Sequence, residues 1–340
     1  MLKNFLLLIS LGINYLFAFS PAVLMEVELE HPNQTSYVGL GYKAINSFEN
    51  LYNIKVPIYS SHGSKYKKED LLRNIVKKGH NPILTLGFLY SESLKKVAKE
   101  FPNKTFVIID GNAGKAKNIL NINFKEEEGS FLVGAIAALK SKSNTIGFIG
   151  GMDIPVIRRF ACGFVQGVKH INPKAKVLVE MTGNTYLAFN NPKKGGIITN
   201  KMVKKGADVI FHAADRTGKG IIKAGKENSI FIIGVDANQN HEAPGTVLTS
   251  MVKRIDVAIY KVLIDFLNNQ TSTKDIRLGL KEEAVSWSLD KYNINLIDTK
   301  TQKVIDALEF DIVEELISVE DYIKYNKCTS YDFESLYEQK

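Results

Sequence analysis

Short apolar runs alternate with helix-period stretches along most of the chain. Residues 21–27 (PAVLMEV) form the first run. The next stretch, 34–51, then places Tyr37, Leu40, Ala44, Phe48 and Leu51 on one helical face. The pattern predicts strand 54–59, helix 68–77, strand 82–86, helix 91–99, and strands 104–109 and 118–124. Gly79 is placed to stop the second helix. Three acids open a helix predicted over 126–139, where the helix dipole favours them. A second series follows: strand 144–149, helix 155–169, strand 177–181, helix 192–204, strand 207–211, helix 217–226 and strand 230–235. Such alternation predicts parallel β-α units with helices on both faces of each sheet. The architecture repeats, but no sequence repeat is visible.

After Asp236 the pattern changes. Residues 247–251 and the helix to about 268 are read as a return to the first domain. Residues 278–289 (LGLKEEAVSWSL) read as a pair of strands, and 307–318 as a last helix. A length of 340 residues leaves room for two domains. The division expected is a signal peptide over 1–20, one lobe from 21–122 with 248–277, and a second from 123–247 with 278–340. Several crossings predict a hinge rather than a simple linker. Lys3 and the apolar run Phe5 to Ala18 fit a secretory leader, too short to span a bilayer. Cleavage is expected after Ala18, with Ser20 as the alternative. No cysteine near that point offers a site for a lipid anchor, so a mature chain free in the periplasm is expected.

Composition adds little to this picture. The chain is 45% hydrophobic and 24% charged, as ordinary globular proteins are. The net charge of +8 is spread over scattered lysines, and the densest run, Lys65 to Lys68, is short. Nucleic-acid binding usually needs basic residues clustered on one face, so no nucleic-acid partner is expected. Cys162 and Cys328 match no metal spacing. Cys162, inside the helix after Gly150-Gly151, reads first as a buried free thiol. A disulfide with Cys328 in an oxidising compartment is the alternative. No phosphate-loop signature, metal-spaced His/Asp/Glu cluster or nucleophile elbow is present. Enzymatic turnover, a cofactor and a metal are therefore not expected.

The stretch from Gly150 to Asn191 holds the strongest site signal. Strand 144–149 meets Gly150-Gly151, read as a tight turn, and a helix starts near Asp153 and Pro155. That arrangement places backbone N–H groups at one edge of an open sheet, where small ligands bind. Strand 177–181 empties into Tyr186-Leu187-Ala188-Phe189-Asn190-Asn191. Phe189 reads as a ligand-facing plate or as a core aromatic. Asp110 and Asp236 each end an apolar strand. A carboxylate there is costly unless it meets a ligand or hydrogen-bond donors. Asp110 reads equally as an Asx turn before Gly111. Lys253 alone reads as a surface lysine, and Asn33 as a helix N-cap.

Five ordered blocks carry a wider likeness: 150–169 (GGMDIPVIRRFACGFVQGVK), 188–196 (AFNNPKKGG), 206–220 (GADVIFHAADRTGKG), 233–240 (IGVDANQN) and 247–260 (VLTSMVKRIDVAIY). Together they resemble the basic membrane protein family, the substrate-binding proteins of ABC transporters related to purine-nucleoside receptors. The resemblance runs from about Pro21 to about Leu289. It implies the α/β type I periplasmic-binding-protein fold, with two doubly wound parallel-sheet lobes, a multi-strand hinge and ligand in the inter-lobe cleft. It also implies a monomeric binding protein of an importer, delivering a nucleoside, purines first, to an inner-membrane ABC permease.

By the same resemblance Phe189 stacks on the base and Asp110 meets its polar edge. Asp236 and Lys253 hold the ribose hydroxyls, Asn33 faces the cleft, and Glu26 stands for the family's usual aspartate. Two departures are visible. The loop from Glu26 to Asn33 is short, with Pro32 where the family carries an aromatic. His31 and Tyr37 are the candidates to replace that aromatic. Asp215 and Arg216 replace two glycines, and Arg216 either narrows the site or adds donors. The alternative functions are binding of another small solute, such as a sugar, and ligand sensing on the same fold.

Overall fold

The computed structural model describes residues 19–29, 36–270, 272 and 274–333. The predicted leader up to Ala18, together with His31 and Asn33, lies outside the described residues. Among the described residues no helix is long and apolar enough to cross a membrane.

In chain order the first elements are β1 (Ala22–Met25), α1 (Tyr37–Tyr52), β2 (Ile58–Ser60), α2 (Lys68–Lys77), β3 (Ile83–Leu86), α3 (Ser91–Glu100), β4 (Phe106–Ile109) and β5 (Ile119–Phe124). The second series is α4 (Glu126–Lys140), β6 (Thr145–Met152), α5 (Pro155–Ile171), β7 (Lys176–Gly183), α6 (Pro192–Lys204), β8 (Val209–Ala213), α7 (Gly218–Glu227), β9 (Phe231–Asp236) and β10 (Val247–Lys253). Then come α8 (Ile255–Leu267), β11 (Ile276–Leu278), β12 (Val285–Trp287), α9 (Thr299–Val313) and α10 (Tyr322–Tyr325).

The chain forms two compact units. The first holds β1, residues 38–123 and residues 255–277; the second holds residues 36–37, 124–254 and 278–333. The first sheet has the order β11-β5-β4-β3-β1-β2, parallel from β5 to β2. Its inner strands are wholly buried because both faces are covered. Leu24, Ile83, Phe106 and Ile108 pack there with Leu72 and Ile75 of α2 and Leu94 and Val97 of α3.

The second sheet has the order β12-β10-β9-β8-β6-β7, parallel except for β12. The expected lobe division needs correction here. Residues 248–253 do not return to the first unit: β10 pairs in register with β9 on one side and β12 on the other. The return begins only after it, with residues 255–277. The two strands expected over 278–289 are also split, since β11 joins the first sheet and β12 the second. The last long helix starts earlier than its apolar pattern suggested. Asp298 caps it, its Oδ1 accepting from the Thr301 N–H at 2.8 Å.

Helices α4 and α5 touch backbone to backbone through glycines. A Cβ added at Gly167 would lie 1.9 Å from the Phe131 carbonyl oxygen, and one at Gly163 would lie 2.3 Å from that of Glu127. Gly167→Ala must push the two helices apart and is expected to cost about 1–3 kcal/mol, as overpacking does. Urea denaturation checks this, and an unchanged midpoint would contradict the close approach.

The cysteines settle differently from the first reading. Cys162, fully buried on α5, is joined to Cys328 by a disulfide, so the buried-thiol reading is wrong and the alternative holds. Spacing could not show this, because 166 positions separate the two residues.

Candidate functional site

A parallel sheet brings the carboxyl ends of its strands to one edge. In the second unit β6, β7, β8, β9 and β10 end there on Met152, Gly183, Ala213, Asp236 and Lys253. Gly150 and Gly151 are not a turn, as the sequence suggested; β6 runs through both to Met152. Their role is close approach. A Cβ at Gly151 would meet the Phe189 ring at 2.3 Å, and one at Gly150 the Met181 sulfur at 2.3 Å. Nor does Asp153 cap α5. It pairs with Arg158 (Nη2–Oδ2 2.8 Å), and Pro155 opens the helix.

Phe189 sits on the 3₁₀ turn Tyr186–Asn190, half-buried, with its ring on the Gly151 backbone and 5.8 Å from the Tyr186 ring centroid. The turn is fixed from below. Thr182 Oγ1 and Thr217 Oγ1 each donate to the Ala188 carbonyl at 2.8 Å, and the Asn191 N–H donates to Thr217 Oγ1 at 2.7 Å. Thr217 thereby links the Asp215-Arg216 segment to the aromatic turn.

Lys253 is not a surface lysine; it is 3% exposed. Its ammonium lies 3.4 Å from Glu126 Oε1 and 3.8 Å from Asp236 Oδ1. The rings of Tyr37, Phe124 and Phe160 surround it, with centroids at 5.1, 5.4 and 5.3 Å. Carboxylates and aromatic faces offset part of the cost of taking an ammonium out of water. Tyr37 therefore belongs with Lys253.

Behind this pair lies Arg159 on α5. Its Nη1 donates to Glu126 Oε2 at 2.9 Å and to the Phe124 carbonyl at 3.1 Å, and its Nε donates to Asp321 Oδ1 at 2.8 Å. Glu127 Oε2 is 3.6 Å from the same Nε. Burial opposes the guanidinium charge, but Glu126, Glu127 and Asp321 more than offset it and raise its pKa. The acids that open α4 are thus not mainly helix-dipole residues. Glu126 and Glu127 are buried ion-pair partners, and Glu128 holds Lys125 at 2.8 Å.

Three strand-end aspartates share an uncommon backbone. Asp110 (φ 61°), Asp215 (φ 44°) and Asp236 (φ 63°) all lie in the left-handed region. Aspartate tolerates that region better than most residues, yet it still costs energy, and such strain gathers at functional sites. Burial pushes the Asp215 carboxyl up, with the Arg216 charge and the Arg216 and Tyr37 backbone N–H groups acting against it. Arg216 is half-buried beside it.

In the first unit Asp110 follows β4 and Glu26 follows β1, at the matching edge of their sheet with β3 between those strands. The Asp110 N–H continues the ladder to the Ile122 carbonyl at 2.7 Å, leaving its half-buried carboxylate at the strand end. Glu26 is tied down: Oε2 accepts from Ser61 Oγ at 2.5 Å, and Oε1 lies 3.7 Å from His62 Nδ1. Of the expected site residues, the structure gathers Tyr37, Asp236 and Lys253, and connects Phe189 to Arg216 through Thr217.

His212 on β8 escaped the sequence reading. Its ring is fully buried beneath Gly218, where a Cβ would come within 2.2 Å of it. Burial pulls its pKa down to about 4. The unfolded chain takes up this proton near its ordinary value of about 6.5, the folded chain only near 4. The contribution is therefore full above pH 6.5 and fades as pH falls toward 4, by about 3 kcal/mol in all. Urea midpoints between pH 7 and pH 4 check this. His212→Leu should flatten the slope, and an unaltered slope would contradict the assignment.

A family model, the ABC transporter substrate-binding protein PnrA-like (Bmp) model, matches residues 33–326. The chain belongs to the Bmp family. A Listeria innocua protein called CD4+ T-cell-stimulating antigen is 32% identical over 303 residues, 81% of this chain and 82% of the other. Basic membrane protein D of Borreliella burgdorferi is 32% identical over 300 residues, 85% of this chain and 84% of the other. Among solved structures, an ABC transporter system solute-binding protein from Aeropyrum pernix K1 matches with a TM-score of 0.76 at 23% identity, covering 89% of this chain and 93% of that one. This last likeness speaks for the fold. The Bmp family consists of substrate-binding proteins, not enzymes, and they work outside the cytoplasm with a small-molecule ligand and an ABC permease.

Proposed function

We propose that this Bmp-family protein binds a nucleoside, purines first, and delivers it as a periplasmic monomer to an ABC permease. The observation that carries the reading is the pairing, at one sheet edge, of a flat apolar plate with a carboxylate–ammonium pair. Phe189, seated on Gly151, offers a face for a base, at about 1–3 kcal/mol per stack. Asp236 accepts from two neighbouring ribose hydroxyls, and Lys253 donates to a ribose oxygen. Asp110, at the matching strand end of the first unit, accepts N–H bonds from the base. Glu26 and Asn33 are proposed as further polar contacts, and His31 as the substitute for the family's aromatic.

A pentose-type solute is the second reading. Asp215-Arg216 favours it, because side chains there take space and add polar groups where the family carries glycines. Melting shifts separate the two. A ligand at a hundredfold excess over its Kd stabilises by about 2.7 kcal/mol. Purine nucleosides should raise the melting temperature while free pentoses do not; shifts with pentoses alone would overturn the nucleoside reading.

A further inference from the structure

We infer that Asp321, on the C-terminal segment, is a positioning residue for the Lys253 ammonium, acting through Arg159 and Glu126. This rests on the proposed contact of Lys253 with ligand. The segment after α9 is pinned along one face of α5. The Arg158 guanidinium donates to the Tyr322 hydroxyl at 2.6 Å, and Arg159 holds Asp321. Cys162 holds Cys328, and Gln166 exchanges two hydrogen bonds with the Glu320 backbone at 2.8 and 3.2 Å. Positions 158, 162 and 166 recur at the spacing of one helix face.

This strap ends at the binding pair. Asp321 takes the Arg159 Nε at 2.8 Å, which leaves Nη1 directed at Glu126 Oε2 at 2.9 Å. The other Glu126 oxygen faces the Lys253 Nζ at 3.4 Å. One carboxylate is therefore shared between two cations, one oxygen to each. An ammonium has three donors and no fixed plane, so where it points depends on which carboxylates hold it. Without Asp321, Arg159 is freed toward Glu127, 3.6 Å from its Nε. Glu126 then turns, and Lys253 shifts its balance between Glu126 and Asp236. All members except Asp236 are less than a tenth exposed, so water cannot stand in for a lost partner. Asp321 lies beyond residue 289, past the blocks that carry the sequence resemblance, though inside the 33–326 span that the family model matches.

The test is a double-mutant cycle read by calorimetry with adenosine and guanosine. Asp321→Asn is expected to weaken binding about three- to tenfold, with Asp321→Glu restoring it. In the Lys253→Met background the Asp321 effect should vanish, because its route is gone. Gln166→Met, which loosens the strap without changing charge, should weaken binding in the same direction and also lose its effect in that background. Unchanged affinity in Asp321→Asn, or losses that multiply with Lys253→Met, would overturn the inference while leaving the Lys253 contact standing. Unchanged affinity in Lys253→Met alone would remove that contact, and the inference with it.

Discussion

Replacing Arg159 with methionine is expected to lower the unfolding free energy by about 3–5 kcal/mol, the range for breaking a buried ion pair. Arg159 is 4% exposed and its guanidinium faces Glu126, Glu127 and Asp321, themselves 0%, 2% and 6% exposed. A methionine fills the volume but leaves these carboxylates without their shared cation, in a place water does not reach. The cost comes from that stranded charge more than from the lost bond. Replacing the whole group with apolar side chains need not be costly, so the prediction concerns the single change. Denaturant midpoints with an unchanged slope check it. A loss under about 1 kcal/mol would mean that the cluster relaxes or takes up protons.

Opening the disulfide is expected to cost about 2–5 kcal/mol, the usual range for a native cross-link. The bond joins positions 166 residues apart, so in the unfolded chain it closes a very long loop, and chain entropy places the effect toward the top of that range. The other strap anchors, Arg158 to Tyr322 and Gln166 to Glu320, keep the segment on α5 when the bond is open, so the effect is felt in the unfolded chain. The Cys162→Ser, Cys328→Ser double variant should melt several degrees lower than the parent. Reductant should lower the parent toward the variant and leave the variant unmoved. Equal melting of the two proteins would contradict a stabilising role.

Much of the fold is legible in the chain because buried parallel strands leave simple marks. Helices 68–77 and 192–204 fall where their periodicity places them, and the β-α alternation yields two parallel sheets. What failed depended on partners far away in sequence. Gly150-Gly151 looks like a turn because glycine serves turns and close approach alike, and only the Phe189 ring distinguishes them. Lys253 looks like a surface lysine because its cage comes from residues 37, 124, 126 and 160. Strand β10 looks like a return to the first unit because a strand carries no mark of which sheet it will join.

A usable signal for the buried charge cluster was present. Arg158 and Arg159 sit among apolar residues in the first turns of a buried helix, and three acids open the helix before it. Basic residues inside one buried helix and acids opening its neighbour call for pairing. Asp321 had no such sign, since its neighbours look like an ordinary polar tail.

The claim that Phe189 and Asp236 grip a nucleoside is tested most directly by calorimetric titration of the purified chain and two variants. Adenosine, guanosine and inosine are titrated into the parent, Phe189→Ala and Asp236→Asn. One-to-one binding to the parent is predicted, weakened about 5- to 150-fold in Phe189→Ala, and at least about tenfold in Asp236→Asn, where hydrogen bonds to a charged group are lost. No heat from any of the three nucleosides, or equal affinity in parent and both variants, would contradict it.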